Sequence, residues 1–254
     1  CTRNCRYART DRSRSMSILA IIPARGGSKS LPRKNIHRFL GRPLIYWSIS
    51  AAKQSKLIDR IVVSTDDQEI ANVSIENGAE VPFLRPFELA KDNVTDYPVI
   101  RHCLEMLDEL DRYQPDLVVQ LRPTSPLRPE GLIDEGIHKL QVVPEADSLR
   151  VVCEPMNNPY KMWKISGKFI TPLIENDIQE AYNQPRQNLP ITYWQIGTLD
   201  VIRTSTIFDK QSLTGERILP FIVDSALAVD IDDEKSLTRA EETCRATVFD
   251  WRNL

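Results

Sequence analysis

Short apolar runs alternate with longer amphipathic stretches along most of this chain. Runs rich in Ile and Val predict buried parallel strands, because a strand covered on both faces is apolar at nearly every position. The stretches between them carry apolar residues at helical spacing. Strands are predicted at Ile18–Pro23, Arg60–Thr65, Glu80–Leu84, Asp116–Leu121, Asp147–Cys153 and Phe221–Asp224, the last followed by an extended segment at Ala228–Asp232. Helices are predicted at Pro43–Ser55, Gln68–Asn77, Val99–Leu110, Leu132–Leu140 and Asp233–Asp250.

This order of elements predicts an α/β fold, a doubly wound domain with a mostly parallel sheet and helices on both faces. The alternation of strands and helices stops after Cys153, and residues 154–200 are rich in Pro, Asn and Tyr. So long an excursion is unusual for a simple loop, and we interpret it as an inserted arm that serves a partner subunit or covers a substrate. The competing interpretation is an irregular surface extension. We expect residues 17–254 to form a single domain that includes this arm.

Charge is distributed unevenly although the total is nearly balanced. The chain has 33 Lys+Arg against 35 Asp+Glu and a formal net charge of −2, which excludes a histone-like polyanion binder. Residues 1–16 carry five arginines and one acid, so residues 17–254 carry −6. Since Met16 stands just before the first predicted strand, we interpret residues 1–16 as an extension outside the fold.

Cysteine usage and hydropathy limit the cellular setting. Cys103, Cys153 and Cys244 are far apart and form no C-x-x-C pattern, which predicts inert thiols in a reducing compartment, the cytoplasm, and no structural zinc. The longest early apolar run, Ile18–Ile22, falls far short of the roughly 20 residues that cross a bilayer, so no membrane partner is expected. No basic stripe with interleaved aromatic residues is present, so nucleic acid is not an expected partner either.

The loop after the first strand has the composition of an anion site. Ligands of parallel sheets bind at the carboxyl ends of the strands. Gly26 and Gly27 follow directly on the first strand, and Arg25, Lys29 and Lys34 surround them with positive charge. Backbone amides freed by a glycine pair can converge on a phosphate, although the spacing matches neither the P-loop nor the G-x-G-x-x-G pattern. The alternative is a basic surface turn.

Polar residues follow other predicted strands as well. The segment Ser64–Asp67 is expected to cap the next helix. After the fourth strand, prolines at 123 and 126 fix the backbone while Arg122, Thr124 and Ser125 offer donors, which suits a rigid wall against a nucleotide.

Near the end of the chain stand two carboxylates with alternate spacing. Asp230 and Asp232 point the same way if their segment is extended, and such a pair can hold Mg²⁺. An acidic helix N-terminus would explain Asp232 but not Asp230.

Several of these segments together resemble the acylneuraminate (CMP-sialic acid) cytidylyltransferases. The resemblance covers nearly all of residues 17–245 and rests on PARGGSKSLPRKN at 23–35, STD at 64–66, RP at 85–86, RPTSPLR at 122–128, QPRQNLP at 184–190 and VDIDDEKSL at 229–237. It implies a nucleotide-diphospho-sugar transferase-like fold. It also implies a homodimer or higher oligomer whose arm reaches into the partner's active site.

The reaction that the resemblance implies is the coupling of CTP to a sialic-acid-like 2-keto-3-deoxy sugar acid, which gives a CMP-sugar and pyrophosphate. The implied catalytic residues are Arg25, Lys34, Asp230 and Asp232, of which the two aspartates would bind Mg²⁺ as cofactor. The implied nucleotide-binding residues are Arg25, Gly26, Gly27, Ser28, Lys29, Lys34, Asn35, Arg85, Asp96, Arg122, Thr124 and Ser125. The implied sugar-binding residues are Lys161, Gln184, Arg186, Gln187 and Trp194. Either a metal-bound water or one of the aspartates would take the sugar's hydroxyl proton.

The chain also departs from the sialate pattern. Familiar members carry Gln in place of Arg122, a small hydroxyl residue near Asp96, a tyrosine in place of Asp200, and Arg and Asn in place of Trp194 and Ile196. A carboxylate at Asp96 would accept from the amino group of cytosine or from the paired N–H donors of guanine, so one alternative is a related enzyme that uses GTP. Two further alternatives are a sugar-1-phosphate nucleotidylyltransferase and a regulatory nucleotide-binding module without turnover.

Overall fold

The computed structural model of the protein describes residues 16–246. Its strands are β1 (Ile18–Pro23), β2 (Arg38–Phe39), β3 (Arg42–Pro43), β4 (Arg60–Ser64), β5 (Leu117–Gln120), β6 (Ser148–Cys153), β7 (Trp163–Ser166), β8 (Phe169–Pro172), β9 (Trp194–Arg203) and β10 (Ile218–Ile222). Its α-helices are α1 (Leu44–Gln54), α2 (Gln68–Glu76), α3 (Asp96–Asp111), α4 (Leu132–Gln141), α5 (Thr204–Asp209) and α6 (Glu234–Ala246). Predictions that concern residues 1–15 and 247–250 lie outside the described residues.

Six strands form the central sheet, in the order β10-β6-β9-β5-β1-β4. β1 pairs in parallel with both β4 and β5, and β6 pairs in parallel with β10. β9 is antiparallel to both of its neighbours, β5 and β6. The predicted mostly parallel α/β sheet is therefore confirmed, and its parallel strands end at one common edge.

Helices cover both faces of this sheet. On one face, buried residues of α1, α2 and α4 such as Ile45, Ile70 and Ile137 belong to one core cluster with alternate residues of β1. On the other face, Leu104 of α3 and Ile207 of α5 join the intervening β1 residues. Alternate residues of β1 thus enter two separate cores, which is why this strand is apolar at every position. Within the described range no helix is long and apolar enough to span a bilayer.

β9 differs most from the sequence-based expectation. The arm was predicted to end at residue 200, but the chain rejoins the sheet at Trp194, so the excursion covers residues 154–193. Gly197 and Asp200 interrupt the apolar run of this strand and conceal its β pattern. The pairing of β9 with β6 also shifts register between Arg150 and Val152. Such irregularities bend a strand and re-aim its side chains, and this one lies at the sheet edge where the parallel strands end.

Two other strand predictions need correction. The segment 80–84 is not a strand but forms one bridge, between Val62 and Glu80, because Pro82 has no N–H to continue a ladder. The strand predicted at Phe221–Asp224 lies earlier, at Ile218–Ile222. The segment 228–232 forms no strand either, although its Ile231 is buried and its amide donates to the Thr124 carbonyl at 2.8 Å.

The arm, defined here as residues 154–193, leaves the sheet after β6. Its strands β7 and β8 form a separate antiparallel hairpin. Trp163 packs against Tyr182 with ring centroids 4.5 Å apart, which ties the hairpin to a short 3-10 helix of the same arm. Several large apolar side chains of the arm nevertheless remain exposed, among them Met156, Ile165 and Phe169.

Candidate functional site

A cavity of about 270 Å³ opens where β1 and β5 end, beside the segment between α2 and α3. We call it the strand-end cavity. It combines cationic, carboxylate and apolar side chains, as expected of a site that binds a charged ligand with an aromatic part. Its lining residues are Pro23, Arg25, Lys34, Asn35, Arg85, Leu89, Lys91, Asp92, Val94, Asp96, Val99, Arg122, Pro123 and Thr124.

The loop after β1 brings cations to one side of the strand-end cavity. Arg25 Nη1 lies 2.8 Å from Asp92 Oδ1, and Lys29 contacts the other oxygen of the same carboxylate. Hydrogen bonding from Lys29, together with the charges of Lys29 and Arg25, lowers the pKa of Asp92. Asn35 donates to the Arg25 carbonyl at 2.9 Å and holds the loop against the next turn.

The two predicted glycines lie in different surroundings. The Gly26 amide donates to Asp66 Oδ1 at 3.0 Å, and a Cβ at Gly26 would lie 2.8 Å from Asp67 Oδ2. Gly27 has no atom within 4 Å of the position of its absent Cβ. Gly26 is therefore required by a close approach between two loops, whereas Gly27 has open space beside it. Neither glycine lines the cavity, and the same holds for Ser28 and Lys29.

The loop after β4 explains that close approach. Asp67, rather than Ser64 or Thr65, is the N-cap of α2 and accepts from the amides of Glu69 and Ile70. Arg33, in a left-handed backbone conformation with φ 57°, forms a second tie through hydrogen bonds to Asp67 and Glu69. The predicted capping role is thus confirmed at one residue, while Asp66 is left to hold the Gly26 amide.

Arg85 presents a buried guanidinium to the strand-end cavity. Its side chain is 4% exposed, and its Nη2 stands 3.6 Å from Asp66 Oδ1, too far for a hydrogen bond. Neither Nε nor Nη2 has a hydrogen-bond partner in the described part of the chain. Burial is the main reason why the pKa of Arg85 is lowered. A buried cation with unsatisfied N–H groups beside a cavity is a strong candidate for contact with a polar ligand.

Arg122 follows β5 and is held from two sides. It donates to Asp96 Oδ2 through Nη2 at 2.9 Å and through Nε at 3.2 Å, and to Asp200 Oδ2 through Nη1 at 2.9 Å. Gln120 also donates to Asp96 Oδ2, at 2.7 Å. Burial acts to lower the pKa of Arg122, but the charges of Asp200 and Asp96 outweigh it and leave that pKa raised. The departures from the sialate pattern at 96, 122 and 200 are thus one connected group.

The segment 122–128, which we call the wall loop, places its predicted residues differently. Thr124 lines the strand-end cavity, but Ser125 does not. Ser125 is buried with its hydroxyl against β9, where a Cβ at Gly197 would lie only 2.5 Å from Ser125 Oγ. The prediction that Ser125 contacts a nucleotide therefore needs correction, because its side chain packs between the wall loop and the sheet.

Arg128, at the end of the wall loop, is a buried anchor that the sequence did not predict. It is 1% exposed and donates to the carbonyls of Thr198 at 2.6 Å and Arg122 at 2.7 Å, and to Ser48 Oγ at 3.1 Å. Burial and the charge of Arg122 lower the pKa of Arg128 to about 9. The second arginine of RPTSPLR gave no distinguishing signal, since an arginine that follows an apolar residue is ordinarily exposed.

The carboxylate pair, Asp230 and Asp232, lies beside Lys34 and the wall loop. Lys34 Nζ is 2.9 Å from Asp232 Oδ1, and the Thr124 side chain bonds to Asp230. Desolvation and the neighbouring Asp232 charge raise the pKa of Asp230. Among the described residues no group of three metal-ligating side chains occurs. Two carboxylates that repel each other nevertheless fit Mg²⁺, which commonly takes one or two carboxylates together with substrate phosphates.

The predicted sugar-binding residues lie away from the strand-end cavity of the same chain. Arg186 and Gln187 line a cavity of about 350 Å³ within the arm, which Glu154 and Ile191 also border. Lys161 and Gln184 lie elsewhere in the arm. Trp194 is half exposed at the start of β9, next to Arg150. One chain therefore does not bring these five residues to the cations.

Comparisons with known proteins agree with this geometry. A sequence model of the family described as Cytidylyltransferase matches residues 19–192. Post-translational flagellin modification protein B of Campylobacter coli is 32% identical over 227 residues, which cover 85% of this chain and 90% of that protein. CMP-N,N'-diacetyllegionaminic acid synthase of Legionella pneumophila is 33% identical over 220 residues, with coverage of 85% and 91%. Pseudaminic acid cytidylyltransferase of Campylobacter jejuni is 41% identical over 124 residues, with coverage of 49% and 53%.

Solved structures share the fold. CMP:2-keto-3-deoxy-manno-octonic acid synthetase complexed with CTP aligns with a TM-score of 0.66 over 90% of this chain and 98% of that one. 4-Diphosphocytidyl-2C-methyl-D-erythritol synthase from Anaerococcus prevotii aligns with a TM-score of 0.63 over 91% and 99%. Both are 14% identical to this chain, so they establish the architecture alone.

Proposed function

We propose that this chain, which belongs to the cytidylyltransferase family, couples CTP to a 2-keto-3-deoxy sugar acid of the nonulosonic, sialic-acid-like class. The products are a CMP-sugar and pyrophosphate. The observation that carries the proposal is the family match from β1 to the end of the arm, because it contains the cationic loop, Asp96 and the wall loop that build the strand-end cavity. The chain is accordingly a nucleotidyltransferase.

Arg25 and Lys34 are the residues that we expect to hold the triphosphate. Both line the strand-end cavity, and Lys29 is tied to the same carboxylate as Arg25. In-line attack by the sugar's anomeric hydroxyl forms a bond to the α-phosphorus of CTP, and the bond from that phosphorus to the bridging oxygen breaks as pyrophosphate leaves. The hydroxyl gives its proton to a base. Such a transfer depends on positioning and charge neutralisation, which cationic side chains supply.

Mg²⁺ is the cofactor that we propose for the carboxylate pair. Oxygen ligands from Asp230 and Asp232 match its preference, and the pKa of Asp230 is raised by desolvation first and by the neighbouring Asp232 charge second. When bound, the ion would neutralise the two carboxylates and the charge that develops on the transferred phosphoryl group. Lys34 contributes positive charge on the same side, through its contact with Asp232.

The geometry of Asp96 favours cytosine over guanine. Its Oδ2 already accepts from Gln120 and from two nitrogens of Arg122, whereas Oδ1 accepts no hydrogen bond within residues 16–246. Recognition of guanine by a carboxylate uses both oxygens for the paired N–H donors. A single open oxygen suits the single amino group of cytosine.

A matrix of pyrophosphate release tests the reaction. CTP, UTP, GTP and ATP are each combined with nine-carbon and eight-carbon 2-keto sugar acids and with a sugar 1-phosphate, with and without Mg²⁺. We expect release with CTP and a nine-carbon acid, dependent on Mg²⁺. Pyrophosphate release with GTP alone, or only with the sugar 1-phosphate, would contradict the proposed substrates. CTP binding without turnover on any acceptor would favour a regulatory module.

We further propose that the active form is a homodimer in which each arm completes the partner's site. Two observations support it: the sugar-binding candidates lie apart from the cavity of their own chain, and the arm exposes Ile165 by 83% and Phe169 by 76%. Exposed apolar patches of this kind mark interaction surfaces.

Light scattering after size-exclusion chromatography tests the dimer. We expect the wild-type chain to be dimeric and the double variant Ile165→Glu/Phe169→Glu to be monomeric and inactive. Val142→Glu is the matched control, since Val142 is 76% exposed but lies after α4, outside the arm. A monomeric wild-type chain with full turnover would contradict the proposal.

A reducing compartment, the cytoplasm, is the proposed location. Cys103, Cys153 and Cys244 are free and buried, and burial raises the pKa of the Cys103 thiol to about 12. Thiols of this kind are unreactive and suit packing rather than disulfide formation.

A further inference from the structure

A row of polar residues crosses three adjacent strands beneath the strand-end cavity. Asp200 of β9 stands directly opposite Gln120 of β5 on one side and opposite Arg150 of β6 on the other. Directly opposed residues present their side chains on the same face of a sheet. The antiparallel insertion of β9 therefore brings a carboxylate between an amide and a guanidinium at the point where the parallel strands end.

Asp200 is a buried charge with two cationic partners. Its side chain is 2% exposed. Arg150 Nε lies 2.7 Å from Asp200 Oδ1, and Arg122 Nη1 lies 2.9 Å from Asp200 Oδ2. Arg150 also donates to Gln195 Oε1 at 2.8 Å, which fixes the outer end of the row. A buried carboxylate is costly unless it is paired, so this geometry is strongly determined.

The charges alternate from the strand-end cavity to β6. Asp96, Arg122, Asp200 and Arg150 form a continuous chain of negative and positive groups with no net charge. Of these, only Asp96 and Arg122 line the cavity. Asp200 and Arg150 thus act on the site through Arg122, whose guanidinium they hold in one orientation.

We propose that Asp200, supported by Arg150, is a positioning residue that fixes Arg122 and through it the Asp96 carboxylate, whose open oxygen selects a nucleobase with an amino group. This inference rests on the proposed function, because it assumes that the cavity receives CTP. Two donors from Arg122 and one from Gln120 hold Asp96 as an acceptor at a fixed place. An acceptor there favours cytosine, whose exocyclic group donates, over uracil, which presents a carbonyl oxygen at the same position.

Asp200→Asn is the direct test, since it removes the charge and preserves the shape. We expect the KM and the calorimetric Kd for CTP to rise about tenfold, because the charge-assisted bond to Asp200 is lost and the bonds to Asp96 alone orient Arg122 less strictly. The KM for the sugar acid should stay unchanged, and the preference for CTP over UTP should fall. Unchanged CTP affinity, or a rise confined to the KM of the sugar acid, would overturn the proposal.

Asp147→Asn is the matched control for stability. Asp147 is also a buried carboxylate, bonded to Lys210 Nζ at 2.8 Å and to the amides of Glu216 and Arg217, but it lies just before β6, at the other end of that strand. Its replacement should lower the melting temperature without any change in CTP affinity. If Asp147→Asn weakened CTP binding as much as Asp200→Asn does, the effect would be a general loss of stability and the positioning role would be refuted.

Two further variants keep the test decisive. Arg150→Gln acts at the partly exposed end of the row, so it should fold even if Asp200→Asn does not, and it should raise the Kd for CTP about two- to threefold. In a double-mutant cycle, Asp96→Asn and Asp200→Asn should be less than additive in CTP affinity, because both act through one acceptor. Full additivity would show that Asp200 does not act through Asp96.

Calorimetric binding of CTP does not require turnover. A wild-type chain that binds CTP but releases no pyrophosphate would therefore refute the proposed reaction and leave this test intact.

Discussion

Replacement of Gly26 by alanine tests how the first loop is held against the loop after β4. A Cβ at this position would lie 2.8 Å from Asp67 Oδ2 and 2.9 Å from Asp67 Cβ, against an ordinary carbon–carbon contact of about 3.5–4.0 Å. Asp67 cannot retreat cheaply, because it caps α2 through two amides and is bonded to Arg33. One of the two loops must therefore shift by roughly 0.5–1 Å.

The cost of that shift can be worked out in order of magnitude. Overpacking of a single methyl group costs about 1–3 kcal/mol. For a domain of this size each kcal/mol lowers the melting temperature by about 2–4 °C, so we expect a drop of roughly 2–12 °C. The shift also moves Arg25, the neighbour of Gly26, and misplacement of a positioning group by about 1 Å costs up to about 100-fold in kcat/KM.

Gly27→Ala is the matched control, since no atom lies within 4 Å of the position that its Cβ would occupy. Its melting temperature should equal that of the wild type. Thermal unfolding and pyrophosphate release are measured for both variants. If Gly26→Ala melts and turns over like Gly27→Ala, the close approach to Asp67 does not constrain the loop and this reasoning is wrong.

The remaining predictions concern charged residues of the site. Asp232→Asn should lower turnover at least about 100-fold with an unchanged melting temperature, and wild-type turnover in that variant would refute the metal assignment. The hydrogen bond from Arg33 lowers the pKa of Asp67, so the ionised Asp67 stabilises the folded state fully above about pH 4, and this stabilisation is lost as the pH falls through the lowered pKa. Urea unfolding of the wild type and of Asp67→Asn at pH 7 and pH 3 measures the loss of stability. An equal loss at both pH values would contradict the predicted pH dependence. Arg128→Met should cost about 2–4 kcal/mol in urea unfolding, because two buried carbonyls lose their donor; an equally stable variant would show that the wall loop is held otherwise. Asp92→Asn should lower the KM for CTP about two- to fivefold at low ionic strength, because Asp92 competes with the triphosphate for Arg25 and Lys29. The KM should be unchanged in high salt, and an effect that persisted there would not be electrostatic.

The sequence sufficed where local pattern and function coincide. Buried strands such as β1 are apolar on both faces and end in a loop whose glycines and cations already indicate an anion site. The family, the α/β fold and the reaction class followed from those segments and are confirmed.

The rest depends on contacts between residues far apart in the chain. The start of β9 was not predicted because Gly197 and Asp200 do not fit a β pattern taken alone. Gly197 leaves space for the Ser125 side chain, and Asp200 forms ion pairs with two arginines. Arg128 could not be recognised as a buried anchor without knowing that it donates a hydrogen bond to the Thr198 carbonyl. Local propensity fails at such places because tertiary partners, not neighbours in sequence, determine the residue.

The carboxylates that surround the proposed triphosphate site give the predicted cations a defined starting geometry. Arg25 and Lys29 share Asp92, and Lys34 contacts Asp232, so each cation already has an anionic partner. A triphosphate must exchange with those carboxylates, and its binding energy is therefore the difference between two sets of charged contacts rather than the sum of new ones. Because an arginine or lysine that is already oriented loses less freedom on binding, the exchange favours a ligand whose oxygens match that geometry. Selectivity in this site then follows from fixed partners on both sides, Asp92 for the phosphates and Asp200 for the base.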